Sequence, residues 1–316
     1  DLTYGPEEVI ASCSGKHSLL HAFHALFQEG DEVIVPAPFW VSYVDMLALA
    51  DAKAVIVPTS EADGFRLSPS ALEAAIGPRT RAVIINSPSN PTGSAYEAEE
   101  LRALGEACLR RGLMVISDDV YERLTYDGFV QRHILSLCPD LRSHTLVISS
   151  CSKTYAMTGW RLGYTAGPKH VVAAMATLQG QSTSNPSSIT QAAAAEALAG
   201  PQGCVDEMVV EFARRRTFVL ERLRAIPGVT VSAPRGAFYV FPSIGAFLGR
   251  RIGGRDLTSA SDLASYLLAE SGLAVVAGED FGAPRNIRIS YATSMALLAK
   301  GLGRFERGLN AVAAAA

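Results

Sequence analysis

The apolar positions of this chain fall into two regimes. Over the first two hundred residues, short runs rich in valine and isoleucine recur at 9–12, 32–36, 54–58, 82–86, 113–117 and 145–149. Most lack polar alternation, which predicts strands covered on both faces. Between them apolar residues return at helical spacing, as at 68–76 and 97–110. Strand and helix in alternation predict a parallel sheet flanked by helices, with ligands beyond the carboxyl ends of the strands. From about Asp206 the rhythm changes. A long helical stretch runs to about Ala225 and ends at Pro227-Gly228. Strands are then expected at 229–233, 237–242 and 286–292, with helices near 259–271 and from Met295. The fold class is α/β: a large domain over residues 1–205, then a smaller C-terminal α+β domain over 206–316 linked through the long helix. The 311–316 tail reads as a fraying helix end.

Charge removes several function classes. With 28 basic against 31 acidic residues, nothing draws the chain toward nucleic acid or an anionic membrane. No apolar run reaches the roughly 18 residues needed to span a bilayer. Asp1-Leu2-Thr3-Tyr4 lacks the basic start and apolar centre of a signal peptide, so a cytoplasmic location is expected. Five widely spaced cysteines without a CxxC pair argue against a disulfide framework or a zinc site. His17, His21 and His24 share a helical face, but no Glu or Cys stands beside them. Helix packing is expected there, and no metal.

Lysine is scarce: Lys16, Lys53, Lys153, Lys169 and Lys300, against 23 arginines. Only lysine forms a Schiff base, so each deserves inspection. Lys153 follows the 145–149 run in Ser150-Cys151-Ser152-Lys153, and Arg161 stands eight residues on in Gly159-Trp160-Arg161. At a strand's carboxyl end, desolvation and nearby positive charge can lower a lysine's pKa. A solvated loop lysine is the competing reading. The residues after the other strands favour the first. Asp118, in Asp118-Asp119-Val120-Tyr121, suits the protonated ring nitrogen of pyridoxal phosphate, or else a helix cap. The turn Asn90-Pro91-Thr92-Gly93 holds Asn90 where it can hydrogen-bond a ring hydroxyl; alone it is only a turn. Cys13-Ser14-Gly15-Lys16 leads into a helix whose first N–H groups suit a phosphate. Trp40 can stack on a planar cofactor or pack between helices.

In this order and spacing, these segments resemble the pyridoxal-phosphate-dependent aminotransferases of fold type I, class I/II, across essentially the whole chain. The pattern is most similar to the bacterial-type aspartate aminotransferase subgroup. The resemblance implies a mostly parallel seven-stranded sheet and pyridoxal 5'-phosphate as cofactor. It makes Lys153 the Schiff-base lysine and proton shuttle, Asp118 the partner of the ring nitrogen, and Asn90 and Tyr121 the donors to the ring oxygen. Ser14, Gly15, Ser150, Ser152 and Arg161 fall where the family binds phosphate, Trp40 where it stacks, and Arg288 where it grips the substrate α-carboxylate.

The resemblance further implies two-stage amino-group exchange between an L-amino acid, aspartate or glutamate, and a 2-oxo acid. Lys16 is then a second anchor, for the distal carboxylate of a dicarboxylate; supporting the cofactor phosphate is its alternative role. Aromatic or prephenate aminotransferases share the framework; a β-eliminating lyase and a non-catalytic cofactor-binding module are more distant readings. Family members are usually homodimers with shared active sites, and the polar segment 181–186 falls where they place an inter-subunit loop. Set against them the chain starts late, and Tyr4 is not in the context of their N-terminal tyrosine. A missing N-terminal segment is therefore expected.

Overall fold

The computed structural model describes residues 2–315. Seven strands form the main sheet: β1 (Val9–Ser12), β2 (Glu32–Ala37), β3 (Lys53–Pro58), β4 (Thr80–Asn86), β5 (Met114–Asp118), β6 (Thr145–Ser150) and β7 (Gly163–Ala166). Their spatial order is β1-β7-β6-β5-β4-β2-β3. The pairs from β3 through β6 are parallel. β7 runs antiparallel to both β6 and β1, so β1 points the same way as β2 to β6. The six apolar runs are thus co-directional, and a short seventh strand is inserted the other way. Its sequence, Gly-Tyr-Thr-Ala, carries no branched apolar run to announce it.

The helices around and beyond this sheet are α1 (Gly15–Leu26), α2 (Ser42–Leu49), α3 (Pro69–Ala75), α4 (Ala98–Arg111), α5 (Ile134–Leu137), α6 (Cys151–Thr154), α7 (Lys169–Ser182), α8 (Ser188–Ala199), α9 (Gly203–Arg224), α10 (Ala260–Ser271) and α11 (Met295–Ala314). α1, α2 and α7 cover one face, where Phe23, Leu47 and Met175 meet Ala82 and Ile84. α3, α4 and α5 cover the other, where Leu72, Leu104 and Ile134 meet Val83 and Ile85. Alternate residues of β4 are buried on opposite faces, which is why its sequence shows no polar alternation. Local signals agree: a Glu97/Glu100 capping box opens α4 and a left-handed Gly112 closes it. On α1, His17 and His21 stack with ring centroids 3.9 Å apart, and His21 Nε2 lies 3.2 Å from Ser182 Oγ.

After α9 the strands are short: β8 (Tyr239–Val240), β9 (Arg250–Ile252), β10 (Arg255–Leu257), β11 (Val276–Ala277) and β12 (Ile287–Ser290). β11, β12 and β8 form an antiparallel sheet, and β9 pairs with β10. Val219, Leu223, Val240, Leu263, Ile287, Leu302 and Phe305 build a core of their own here. The expected strand at 229–233 does not form; only Thr230 bridges Ser243. The chain beyond it is drawn away instead, because Arg235 and Gly236 both donate N–H to Gly93 O and Arg235 O accepts from Tyr126 N. The next expected strand shrinks to two residues, Tyr239–Val240. α9 starts three residues ahead of the sequence pattern. α11, capped by Ser294, stays helical to Ala314; Ala316, at the end of the expected frayed tail, lies outside the described residues. Among the described residues no helix is long and apolar enough to cross a membrane, and no group of three His, Cys, Asp or Glu is placed to hold a metal.

Candidate active site

The carboxyl ends of β1, β4, β5 and β6 open into one cleft with about 330 Å³ of free space, within the usual range for small-molecule sites. Sheet register assembles it. Asn86 lies opposite Asp118 at the ends of β4 and β5, while Ser12 and Ser150 both lie opposite Gly163. Every site residue expected from the sequence lines this cleft: Ser14, Gly15, Lys16, Trp40, Asn90, Asp118, Tyr121, Ser150, Ser152, Lys153, Arg161 and Arg288.

At the floor, the buried Asp118 carboxylate accepts from Tyr43 Oη at 2.5 Å, and the Asp118 carbonyl accepts from Asn86 Nδ2 at 2.9 Å. No cation pairs with that carboxylate among the described residues. Burial pushes its pKa up to about 6, partly offset by the hydrogen bond from Tyr43. Lys153 sits on the one-turn helix α6, and its Nζ has no hydrogen bond or ion pair among the described residues. Burial, then the charges of Arg161 and Arg288, hold its pKa below the usual lysine value.

One end of the cleft is built to receive an anion. The first N–H groups of α1 have no intrahelical partner. Ser14, at φ 108, forms no side-chain cap to them. β7 passes so close that a Cβ on Gly163 would stand 2.2 Å from Gly15 N, so only glycine permits this approach. Ser150 Oγ, 2.8 Å from Leu162 O and 2.9 Å from Ser152 Oγ, secures the facing turn. Arg161, left-handed at φ 57, donates to Thr158 O at 2.7 Å and is otherwise exposed.

The wall comes from the C-terminal region. Arg288 Nη1 donates to Asn90 Oδ1 at 2.9 Å, which leaves the Asn90 amide nitrogen as a spare donor. The guanidinium carbon lies 4.7 Å from the ring centroid of Tyr239 and 5.0 Å from that of Phe281. Its Nε is buried without a partner. Trp40 packs edge-on against Tyr43 at 5.3 Å and also lines the cleft. Lys16 Nζ stands 5.0 Å from the Trp40 ring centroid. Three polar lining residues, Asn86, Tyr43 and Tyr239, escaped the sequence reading, as did the apolar Leu19 and Val120. Asn86 could have been found as the polar residue closing an apolar run, and Tyr43 as the residue one turn beyond Trp40. Nothing in the sequence singled out Tyr239.

A family model, Aminotransferase class I and II, matches residues 1–305. The chain is 46% identical to an aspartate aminotransferase of Geobacillus stearothermophilus, over 98% of this chain and 78% of that protein. It is 47% identical to an aspartate/prephenate aminotransferase of Cereibacter sphaeroides, over 96% and 77%. The crystal structure of the aspartate aminotransferase from Rhizobium meliloti superimposes with a TM-score of 0.95 at 43% identity, covering 98% of this chain and 78% of that one. With the matched residues spanning the sheet, the cleft and its wall, the chain belongs to the class I and II aminotransferases.

Proposed function

We propose that this chain exchanges the amino group between aspartate or glutamate and a 2-oxo acid, oxaloacetate or 2-oxoglutarate, with pyridoxal 5'-phosphate in the cleft. The observation that carries this reading is one cleft lined both by Lys153, just past the end of β6, and by the buried Asp118 carboxylate at the end of the adjacent β5, neither with an ion-pair partner among the described residues. The residues fit that cofactor. Asp118 would hold the proton on its ring nitrogen; the spare amide of Asn90 and the Tyr121 hydroxyl would face its ring oxygen. Ser14, Gly15, Ser150, Ser152 and Arg161 would take its phosphate, and Trp40 would stack on its ring. Bound there, pyridoxal phosphate supplies an electron-withdrawing ring that stabilises negative charge at the substrate Cα.

The chain's own groups do the rest. Lys153 Nζ, held below its usual pKa, would accept the Cα proton and pass it on to the neighbouring carbon on the cofactor side rather than back to Cα. Arg288 would offer its Nε edge to the α-carboxylate, because Asn90 occupies Nη1 while Nε has no hydrogen-bond partner among the described residues. Lys16, near Trp40, is the anchor for a second carboxylate. A dicarboxylate also describes prephenate, and the Cereibacter relative supports that as a second substrate.

We infer further that the 1–205 and 206–316 division holds, supported by the separate core after α9. A cytoplasmic homodimer is in keeping with five free cysteines and with the exposed 181–185 segment and Ile189, which is 73% exposed. An exchange assay with pyridoxal phosphate, using aspartate, glutamate, alanine and phenylalanine as donors, tests the main reading. Preference for the dicarboxylates is expected. Repeated turnover with ammonia release and no oxo-acid acceptor, or equal rates on all four donors, would overturn it.

A further inference from the structure

We propose that Tyr239 is a positioning residue with two separable halves: its hydroxyl orients Tyr121, and its ring face holds Arg288. This rests on the aminotransferase reading above and assigns a role to a residue that reading does not use.

Tyr239 is buried on β8 at 7% exposure. Ser290 of β12 lies directly opposite it. Arg288, two residues back on the same face of β12, is therefore its diagonal neighbour, within reach of a long side chain. The guanidinium carbon sits 4.7 Å from the Tyr239 ring centroid. On its other side, the Tyr239 hydroxyl lies 3.0 Å from the Tyr121 hydroxyl, and the two rings meet edge to face at 5.9 Å. One tyrosine thus touches both the residue that would face the cofactor ring oxygen and the residue that would grip the substrate.

The direction of the hydroxyl pair follows from proton counting. Each phenol has one hydrogen to donate. Burial raises both pKa values, that of Tyr121 most, so both are protonated at neutral pH. If Tyr121 donates to a ring oxygen, it has nothing left for Tyr239. Tyr239 must then donate to the Tyr121 oxygen, which fixes the Tyr121 hydrogen toward the cleft and strengthens it as a donor by polarisation. The ring half is independent of this. An aromatic face under a guanidinium orients it, and the Phe281 ring, 5.0 Å from the same carbon, adds a second such contact.

Two variants of the full chain separate the halves. Tyr239→Phe keeps the ring and removes the hydroxyl; Tyr239→Leu removes both. Three quantities are measured for each: the pH midpoint of the visible absorbance change of the cofactor-loaded protein, the affinity of the cofactor-free protein for pyridoxal phosphate, and kcat and KM for aspartate. In the Phe variant the spectral midpoint should rise by about 0.5 pH unit, since a weaker donor stabilises the ring-oxygen anion less. Cofactor affinity should fall about twofold to threefold while KM stays within about twofold. In the Leu variant the same spectral shift should be joined by a rise of about tenfold in KM. Both cofactor-free variants should unfold within about 5 °C of the parent.

A Phe variant with unchanged midpoint and cofactor affinity overturns the hydroxyl role. A Leu variant whose KM rises no more than that of the Phe variant overturns the ring role. Absence of both a visible band and amino-group exchange in the parent protein overturns the underlying reading, and this inference with it.

Discussion

The floor of the cleft rests on strands of five to seven residues buried on both faces, whereas the wall carrying Tyr239 and Arg288 rests on strands of two and four. The strand residues of the floor are placed by ladder register, which sets Asp118 level with Asn86, and side-chain bonds from Asn86 and Tyr43 only add to it. Wall residues are placed by bonds across a seam. Arg288 reaches Asn90, Tyr239 reaches Tyr121, and Arg235 and Gly236 clasp Gly93. Gly93 itself is left-handed at φ 67, and a Cβ there would stand 2.3 Å from Pro234. The buried Arg216 closes the seam by donating to Pro234 O and Asp127. A floor built this way holds its geometry with the cleft empty; a wall built this way depends on what it touches. Substitutions should therefore divide: floor changes act on cofactor and chemistry, and changes on the Arg288 side of the wall act on substrate, while the Tyr239 hydroxyl, which reaches Tyr121, acts with the floor.

The largest effect should come from the floor. Lys153→Ala should reduce amino-group exchange by at least about 10⁴-fold, because it removes both the proton-transfer group and the covalent anchor. Single-turnover assays check this, and a residual rate within tenfold of the parent would mean that the floor does not carry the chemistry. Next comes the wall. Arg288→Ala should lower kcat/KM for aspartate by about 10²–10³-fold, the cost of removing one partner of a desolvated charge pair. Pyridoxal phosphate affinity, measured separately, should move by less than about threefold. A parallel collapse of cofactor affinity would erase the distinction between floor and wall.

A third test turns on stability. Asp118 is shifted from 3.8 to about 6 in the folded, cofactor-free chain, chiefly by burial. Between those values the folded state binds more protons than the unfolded one, so stability falls as pH rises through that window. The accumulated penalty at neutral pH is about 3 kcal/mol. Asp118→Asn should therefore raise the urea midpoint of the cofactor-free chain at pH 7.5 and flatten its dependence between pH 4 and 6, while weakening cofactor binding. A parent protein whose stability is flat across that window would show that the floor carboxylate is not under this strain.

The same contrast governs what the sequence made legible. Asp118, Lys153, Asn90 and Ser14 each follow a branched apolar run, and such runs are strands almost by composition. Their carboxyl ends could therefore be inspected one by one. β7 was invisible to that pattern and entered only through the resemblance, since Gly163-Tyr164-Thr165-Ala166 owes its place to the fit of Gly163 against Gly15. Arg288 likewise came from resemblance alone. Two-residue strands have no period to read, and Arg235 and Gly236 show why propensity fails there: their backbone groups are spent on Gly93 and Tyr126 rather than on a ladder. Tyr239 was missed because its importance lies in two contacts, each from a segment more than forty residues away.

Lys16 tests the comparison at its finest, because it belongs to the floor by position and to the wall by expected behaviour. It is exposed on the first turn of α1, beside the groups that would hold phosphate, yet its Nζ lies 5.0 Å from the Trp40 ring. If it behaves as its position suggests, Lys16→Ala weakens cofactor binding and affects all substrates alike. If it anchors a distal carboxylate, the loss is selective. The expected result is a KM for aspartate and 2-oxoglutarate raised about tenfold, the scale of one partly solvated ion pair, with alanine changed less than about twofold. Parallel kinetics on the three substrates decide between the two, and equal effects would return Lys16 to the floor.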